Sequence, residues 1–219
     1  MKLTGAEVMV KCLQAEGVST IFGYPGGAIL PFYDALRDET SIRHILTAHE
    51  QGAAHAADGY ARASGTVGVC CATSGPGATN LVTGLANAFL DSIPVVAITG
   101  QVKRSTIGHD AFQEVDICGI TMPITKQNFL VNKPEELEQT MHLAFQIARS
   151  GRPGPVLIDV PNDVQKAMIE YHGKKLPALS PKAPDPMRID LAIDALSKAK
   201  RPVMLVGGGV AISGAQYEA

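Results

Sequence analysis

The chain has 219 residues, 46% apolar and 18% charged, with a formal net charge of −2. That length holds one full domain and part of a second, with enough apolar material for a sizeable core. The absence of a basic block argues against nucleic acid and anionic membrane as partners, and no apolar run reaches the roughly 18–20 residues needed to span a bilayer.

The opening residues Met1–Gly5 lack the apolar core of a signal peptide and lead directly into a helix. A soluble, cytoplasmic protein is therefore expected. Thr4 with Glu7 three residues on forms a capping box, and Gly17 marks the helix end. Strands are predicted at Thr20–Phe22, Ile42–Leu46, Val67–Ala72, Pro94–Thr99, Ile124–Val131 and Val156–Val160. Helices are predicted between them at Ala28–Leu36, Gln51–Ser64, Ala78–Leu90 and Pro134–Arg149. The strands are short, rich in Val and Ile, and mostly without apolar–polar alternation, as strands buried on both faces read. The fold class is thus α/β, a doubly wound six-stranded parallel sheet over residues 1–165. Cys12, Cys70, Cys71 and Cys118 show no metal-ligand spacing and read as small hydrophobes of a reducing compartment.

Beyond Asp163 the texture changes. Lys174, Lys175 and the prolines Pro177, Pro181, Pro184 and Pro186 suggest an extended linker over residues 166–187. A second α/β unit, residues 188–219, begins with a helix at Ile189–Ala199, a strand at Pro202–Val206 and the turn Gly207-Gly208-Gly209, with the chain ending inside the next helix. About 35 residues cannot bury a core of their own, so this unit reads as the truncated start of a domain.

Ligands in open parallel sheets bind at the carboxyl ends of strands. The first strand is followed by Gly23-Tyr24-Pro25-Gly26-Gly27, where backbone can approach a flat ligand and aim helix amides at an anion. By itself this reads first as a tight strand-to-helix turn. The second strand leads to His49-Glu50 and a helix of small residues. A carboxylate there is poorly solvated and suited to share a proton with a ring nitrogen. A glutamate merely stabilised by the helix dipole accounts for the local pattern as well. His49 and His55 read as packing or hydrogen-bonding residues, not metal ligands, and no metal site is predicted. The third strand ends in Thr73-Ser74-Gly75-Pro76-Gly77-Ala78-Thr79-Asn80, which lacks the third glycine of a dinucleotide loop, and Gly207-Gly208-Gly209 fails the same test at Ile212.

Taken in order, Phe22–Gly27, Ala48–Gln51 and Thr73–Asn80 resemble the pyrimidine-binding domain of thiamine-diphosphate enzymes. The stretches Gly100–Val102, Asp110–Glu114, Ser150–Val156 and Asp159–Pro161 narrow the resemblance to the acetolactate (acetohydroxyacid) synthase catalytic subunits. The resemblance implies that Glu50 contacts N1′ of the cofactor's aminopyrimidine. It implies that Pro25 and Gly26 form the turn beside the thiazolium, and that Phe112 and Gln113 line the reaction centre. Arg152 and Ser92 correspond to flavin-side positions. The implied cofactors are thiamine diphosphate, a magnesium ion held by a domain outside this sequence, and FAD in a structural role. The implied reaction joins pyruvate to a second 2-keto acid with loss of carbon dioxide. It takes place in a homodimer or tetramer whose site forms between chains, with a small regulatory subunit as a further possible partner.

Most members of that family carry a lysine after Asp-Val-Pro, at the substrate entrance; here the residue is Asn162, while Lys126 is expected to keep a basic group near that entrance. Two other readings remain open. One is a different enzyme of the superfamily, such as an oxalyl-CoA decarboxylase or a pyruvate oxidase. The other is a non-catalytic binding or assembly module, since no Gly-Asp-Gly…Asn diphosphate motif occurs in the sequence. The fragment alone is expected to be inactive.

Overall fold

The computed structural model describes residues 1–177, 179 and 183–218; Pro181 of the expected linker and Ala219 lie outside the described residues. The chain divides into two units, Met1–Ala178 and Leu179–Ala219. The first unit runs β1 (Lys2–Thr4), α1 (Gly5–Ala15), β2 (Thr20–Gly23), α2 (Leu30–Arg37), β3 (Arg43–Leu46), α3 (Glu50–Ser64), β4 (Gly68–Ala72) and α4 (Pro76–Thr79). It continues with α5 (Val82–Leu90), β5 (Val95–Gln101), α6 (Ile117–Thr121), β6 (Gln127–Leu130), α7 (Leu137–Arg149), β7 (Val156–Pro161), α8 (Asn162–Lys166) and β8 (Met168–Glu170).

Six strands form one parallel sheet in the order β3-β2-β4-β5-β7-β6. The three central strands β4, β5 and β7 are buried along their whole length, which is why their sequences carry no alternation. Helices cover both faces. On one face α1, α2, α7 and α8 bury Met9, Leu13, Phe32, Met141 and Phe145 against Val69, Val96 and Ile158. On the other, α3 and α5 pack a smaller cluster of Ala53, Ala57, Leu81 and Leu85 against Cys70, Val95 and Leu157. Because β3 lies to one side of β2 and β4 to the other, the chain direction switches between β2 and β4, and a crevice opens there at the strands' carboxyl ends.

Local signals explain most boundaries. Thr4 Oγ1 accepts from the Glu7 amide at 3.2 Å and Glu7 Oε2 from the Thr4 amide at 2.7 Å, closing the capping box that starts α1. Gly65 adopts φ +70° and ends α3 in the left-handed region. The strand expected at Ile124–Val131 is shorter, because Met122–Ile124 form a 3₁₀ turn around Pro123. The helix expected over Ala78–Leu90 is two pieces, α4 and α5, parted at Asn80 and Leu81. Cys12, Cys70 and Cys71 are buried, and burial pushes their thiols up, Cys71 to about 12.

Within the stretch expected as linker, Met168–Glu170 is a strand, β8, pairing antiparallel with β1. Beyond it the Glu138 carboxylate accepts from the backbone amides of His172 at 2.9 Å and Lys174 at 3.1 Å. The chain therefore stays bound to the first unit past the point where the charge and proline pattern suggested release.

The second unit contains α9 (Pro186–Lys198), capped by Asp185, and α10 (Gly208–Ser213), which ends at Gly214 with φ +72° and so stops before the end of the chain. The strand expected at Pro202–Val206 does not form. Among the described residues this unit holds no second strand for it to pair with, and Val203 and Leu205 are 93% and 97% exposed. Among the described residues no helix is long and apolar enough to cross a membrane.

Candidate active site

Three chain reversals meet at the crevice. After β2, the turn Tyr24–Gly27 presses on Thr73 so closely that a β-carbon at Gly26 would stand 2.6 Å from the Thr73 side chain. Thr73 Oγ1 in turn accepts from the Ala28 amide at 3.1 Å, fixing the far end of the turn. On the other side of Thr73, a β-carbon at Gly77 would meet Thr73 Cγ2 at 2.8 Å and Glu50 Oε1 at 3.2 Å. Glycine at both positions lets turn, threonine and carboxylate share one small volume.

Glu50 opens α3, where His49 Nδ1 accepts from the Gln51 amide at 3.1 Å and serves as N-cap. The Glu50 side chain is 9% exposed. Its Oε2 accepts from Asn80 Nδ2 at 2.9 Å, and among the described residues no donor reaches Oε1. The crevice thus brings Pro25, Gly26 and Glu50 together, with Thr73 and Asn80 as supports that motif reading left without a role. The signal for Thr73 was present, a polar residue directly after an apolar strand at the end where ligands bind; Asn80 comes only after the short helix α4 and carried no such signal.

The loop after β5 supplies the third side. Gly75 has φ +60°, and a β-carbon there would lie 2.6 Å from the Gln113 carbonyl oxygen, so loop and turn touch through backbone. Gln113 and Asp110 are themselves non-glycine residues at φ +57° and +53°. The Phe112 side chain is 87% exposed. Within the loop the Glu114 carboxylate accepts from the amides of Gly108 and Ala111, which holds it below the usual carboxylate range.

Beneath that loop sits a buried carboxylate. Asp159 is 2% exposed; its Oδ1 accepts from the Thr99 hydroxyl at 2.7 Å and its Oδ2 from Gln101 Nε2 at 2.8 Å. Burial pushes the carboxyl up from 3.8 to about 7, against the pull of those two hydrogen bonds. The folded state therefore keeps a proton that the unfolded chain releases near 3.8, so the contribution of Asp159 to stability falls as pH rises between those two values and is level outside them. The full swing is on the order of 4 kcal/mol. Denaturant midpoints across that window should lose the corresponding slope in Asp159→Asn, and an unchanged slope would assign it to other groups.

Ser92 and Arg152 lie elsewhere. They precede β5 and β7, so they occupy the amino rim of the sheet, opposite Glu50. There Arg152 donates from Nε to Ser92 Oγ at 2.6 Å and from Nη2 to the Leu90 carbonyl at 3.0 Å. Lys126 is on that rim too. Its ammonium donates to the Ile147 and Ser150 carbonyls at the end of α7, and burial lowers its pKa. The expectation that Lys126 keeps a basic group near the substrate entrance is therefore corrected: it enters β6 at the amino end, its amide bonded to Pro155 O. Asn162, at the carboxyl end of β7, donates to Ala28 O at 3.3 Å beside Gln165, which donates to the same oxygen at 2.9 Å. The pair supports the Tyr24–Gly27 turn from beneath.

A family model described as thiamine pyrophosphate enzyme, N-terminal TPP binding domain, matches residues 3–120, the segment that carries the glycine turn, Glu50, Thr73, Asn80 and the Phe112–Gln113 loop. The chain belongs to the thiamine pyrophosphate enzyme family. Within it, the chain is 57% identical to a probable acetolactate synthase large subunit of Methanocaldococcus jannaschii over 99% of its own length and 38% of that protein's. It is 54% identical to the acetolactate synthase isozyme 2 large subunit of Escherichia coli, over 96% and 38% of the two chains. The acetolactate synthase large subunit of Corynebacterium glutamicum is 52% identical, over 99% and 35%. The chain thus spans between a third and two fifths of the length of the relatives it matches.

Proposed function

We propose that this chain is the N-terminal part of an acetolactate synthase catalytic subunit, which condenses two pyruvates, or pyruvate with 2-ketobutyrate, with loss of carbon dioxide. The observation that carries the proposal is the nearly buried Glu50 carboxylate at the switch point of the sheet, one oxygen held by Asn80 and the other without a donor among the described residues. That arrangement fits thiamine diphosphate. Oε1 is available to a pyrimidine nitrogen, while the Pro25–Gly26 turn, pinned by Thr73, Asn162 and Gln165, offers backbone at close range to the rest of the molecule. When bound, thiamine diphosphate supplies the carbon nucleophile and the electron sink for decarboxylation. Glu50 would hold or release a proton at N1′, and Asn80 would fix which carboxylate oxygen does so. Phe112 and Gln113 would bound the space above the reacting atoms.

The magnesium ion that accompanies such a diphosphate has no fitting ligand set here; among the described residues no three His, Cys, Asp or Glu side chains gather. FAD would contact Arg152 and Ser92, whose exposed pairing on the opposite rim supports a second ligand held apart from the first. The exposure of Phe112 supports a site completed by further protein. On this reading the full-length protein works in the cytoplasm as a homodimer or tetramer, with a small regulatory subunit as an additional partner. The test is direct. Purified full-length protein carrying thiamine diphosphate, magnesium and FAD should form acetolactate from pyruvate, read as acetoin after acid decarboxylation. A folded, cofactor-loaded preparation that forms none removes the assignment.

A further inference from the structure

We propose that Asp159 is a positioning residue that acts through the Gln101 side-chain amide to hold the loop 102–116, and with it Phe112 and Gln113, at the crevice. Only the functional consequence rests on the acetolactate reading; the loop argument itself does not.

A glutamine amide offers two N–H donors and one carbonyl acceptor, and Gln101 uses all three. Its Oε1 accepts from the Val102 amide at 2.8 Å, while Nε2 donates to the Val115 carbonyl at 3.0 Å and to Asp159 Oδ2 at 2.8 Å. Val102 and Val115 stand at opposite ends of the loop, so one planar group ties both ends together. The amide has one workable orientation: turned over, its oxygen would face the Val115 carbonyl and the Asp159 carboxylate, and its NH₂ would face the Val102 N–H. Asp159 contributes the second acceptor that makes this orientation decisive. Its own place is set by Thr99, since Oδ1 accepts from that hydroxyl at 2.7 Å. Gln101 and Asp159 are both almost fully buried, where an unmatched polar group is costly.

The loop needs such a tie. Most residues between Lys103 and Gln113 are exposed. Two of them, Asp110 and Gln113, hold left-handed backbone that non-glycine residues keep only when their surroundings over-determine it. Val115 is two residues from Gln113, and the Gln113 backbone must stay on Gly75.

A simple cross-link between β5 and β7 predicts something different. Those strands are already paired in register from Val96↔Val156 to Gln101↔Pro161, so they do not depend on the side-chain pair. Asn at position 159 can still turn its oxygen to Gln101 Nε2 and its NH₂ to the Thr99 oxygen. Leu has similar bulk and offers no acceptor.

None of the 219 residues is tryptophan, and Phe112 is exposed, so in the 219-residue chain Phe112→Trp places a single tryptophan on the loop. Time-resolved anisotropy of that protein is the measurement. Adding Asp159→Leu should raise the amplitude of nanosecond loop motion by about twofold, whereas Asp159→Asn should leave it unchanged. Gln101→Met, which removes the amide but spares the Asp159–Thr99 pair, should loosen the loop as Leu does, and it carries the test if Asp159→Leu fails to fold. Equal loosening by Asn and Leu would mean that charge, not acceptor geometry, is at work, and would overturn the proposal. So would an unmoved loop in both folded Asp159→Leu and Gln101→Met. None of these readings depends on acetolactate formation, so failure of the proposed function leaves them standing.

Discussion

Glu50→Gln in the full-length protein should slow hydrogen–deuterium exchange at C2 of bound thiamine diphosphate by about 100- to 10,000-fold. Gln keeps the shape and can still accept from Asn80 Nδ2, the bond seen at 2.9 Å, so the start of α3 is undisturbed. What it loses is the ability to share a proton from Oε1 with N1′. Cofactor affinity should fall less, because the turn Tyr24–Gly27 and its supports Thr73, Asn162 and Gln165 are untouched. Exchange at the wild-type rate in a loaded Glu50→Gln protein would show that this carboxylate is not the activating group.

A large loss of stability is expected on substitution at Gly68. A β-carbon there would lie 2.1 Å from the Ala57 carbonyl oxygen in the middle of α3, with backbone on both sides of the collision. Neither partner is the far end of a flexible side chain, so helix and strand must part. Gly68→Ala should cost about 3 kcal/mol or more and lower Tm by roughly 10 °C. Gly59 is the control, in the same helix but with nothing within 4 Å of its β-carbon position. Gly59→Ala should instead stabilise by about 0.4–1 kcal/mol, because it removes chain entropy from the unfolded state without a clash. Urea midpoints of the two variants decide the matter; a Gly68→Ala protein as stable as the parent would refute the close approach of α3 to β4. Since α3 begins with Glu50, the same variant should also disturb the crevice.

The six-stranded sheet was readable because its three central strands are buried on both faces and all six are short apolar runs bounded by turn residues. Val95–Gln101 and Val156–Pro161 needed no partner information to be recognised. The strands β1 and β8 were not readable. Each has three residues, and what makes them strands is a pairing across more than 160 positions, Lys2 with Glu170. Pro202–Val206 failed in the opposite sense, being strand-like in composition with nothing to pair with among the described residues of its unit. That Pro25, Gly26 and Glu50 share one rim was legible because each follows a strand end; their roles toward a cofactor rest on the resemblance. The split of Ser92 and Arg152 to the other rim was implicit in their positions before β5 and β7, but motif matching assigns residues to ligands without asking which edge they occupy. The Gln101–Asp159 pair was hidden for a different reason. Polar residues in central strands announce themselves as exceptions, and only the register between β5 and β7 says which exceptions meet.

The β1–β8 ribbon has a mechanical consequence. Met1 and Tyr171 sit side by side at one end of this antiparallel pair, the terminal ammonium donating to Tyr171 O at 2.9 Å. A tensile load applied at those two points pulls the strands apart crosswise, so their hydrogen bonds break one after another instead of together. The ribbon should peel at low force and let slack out before any load reaches the six-stranded sheet, leaving the crevice around Glu50 intact while the ends of the unit are drawn apart.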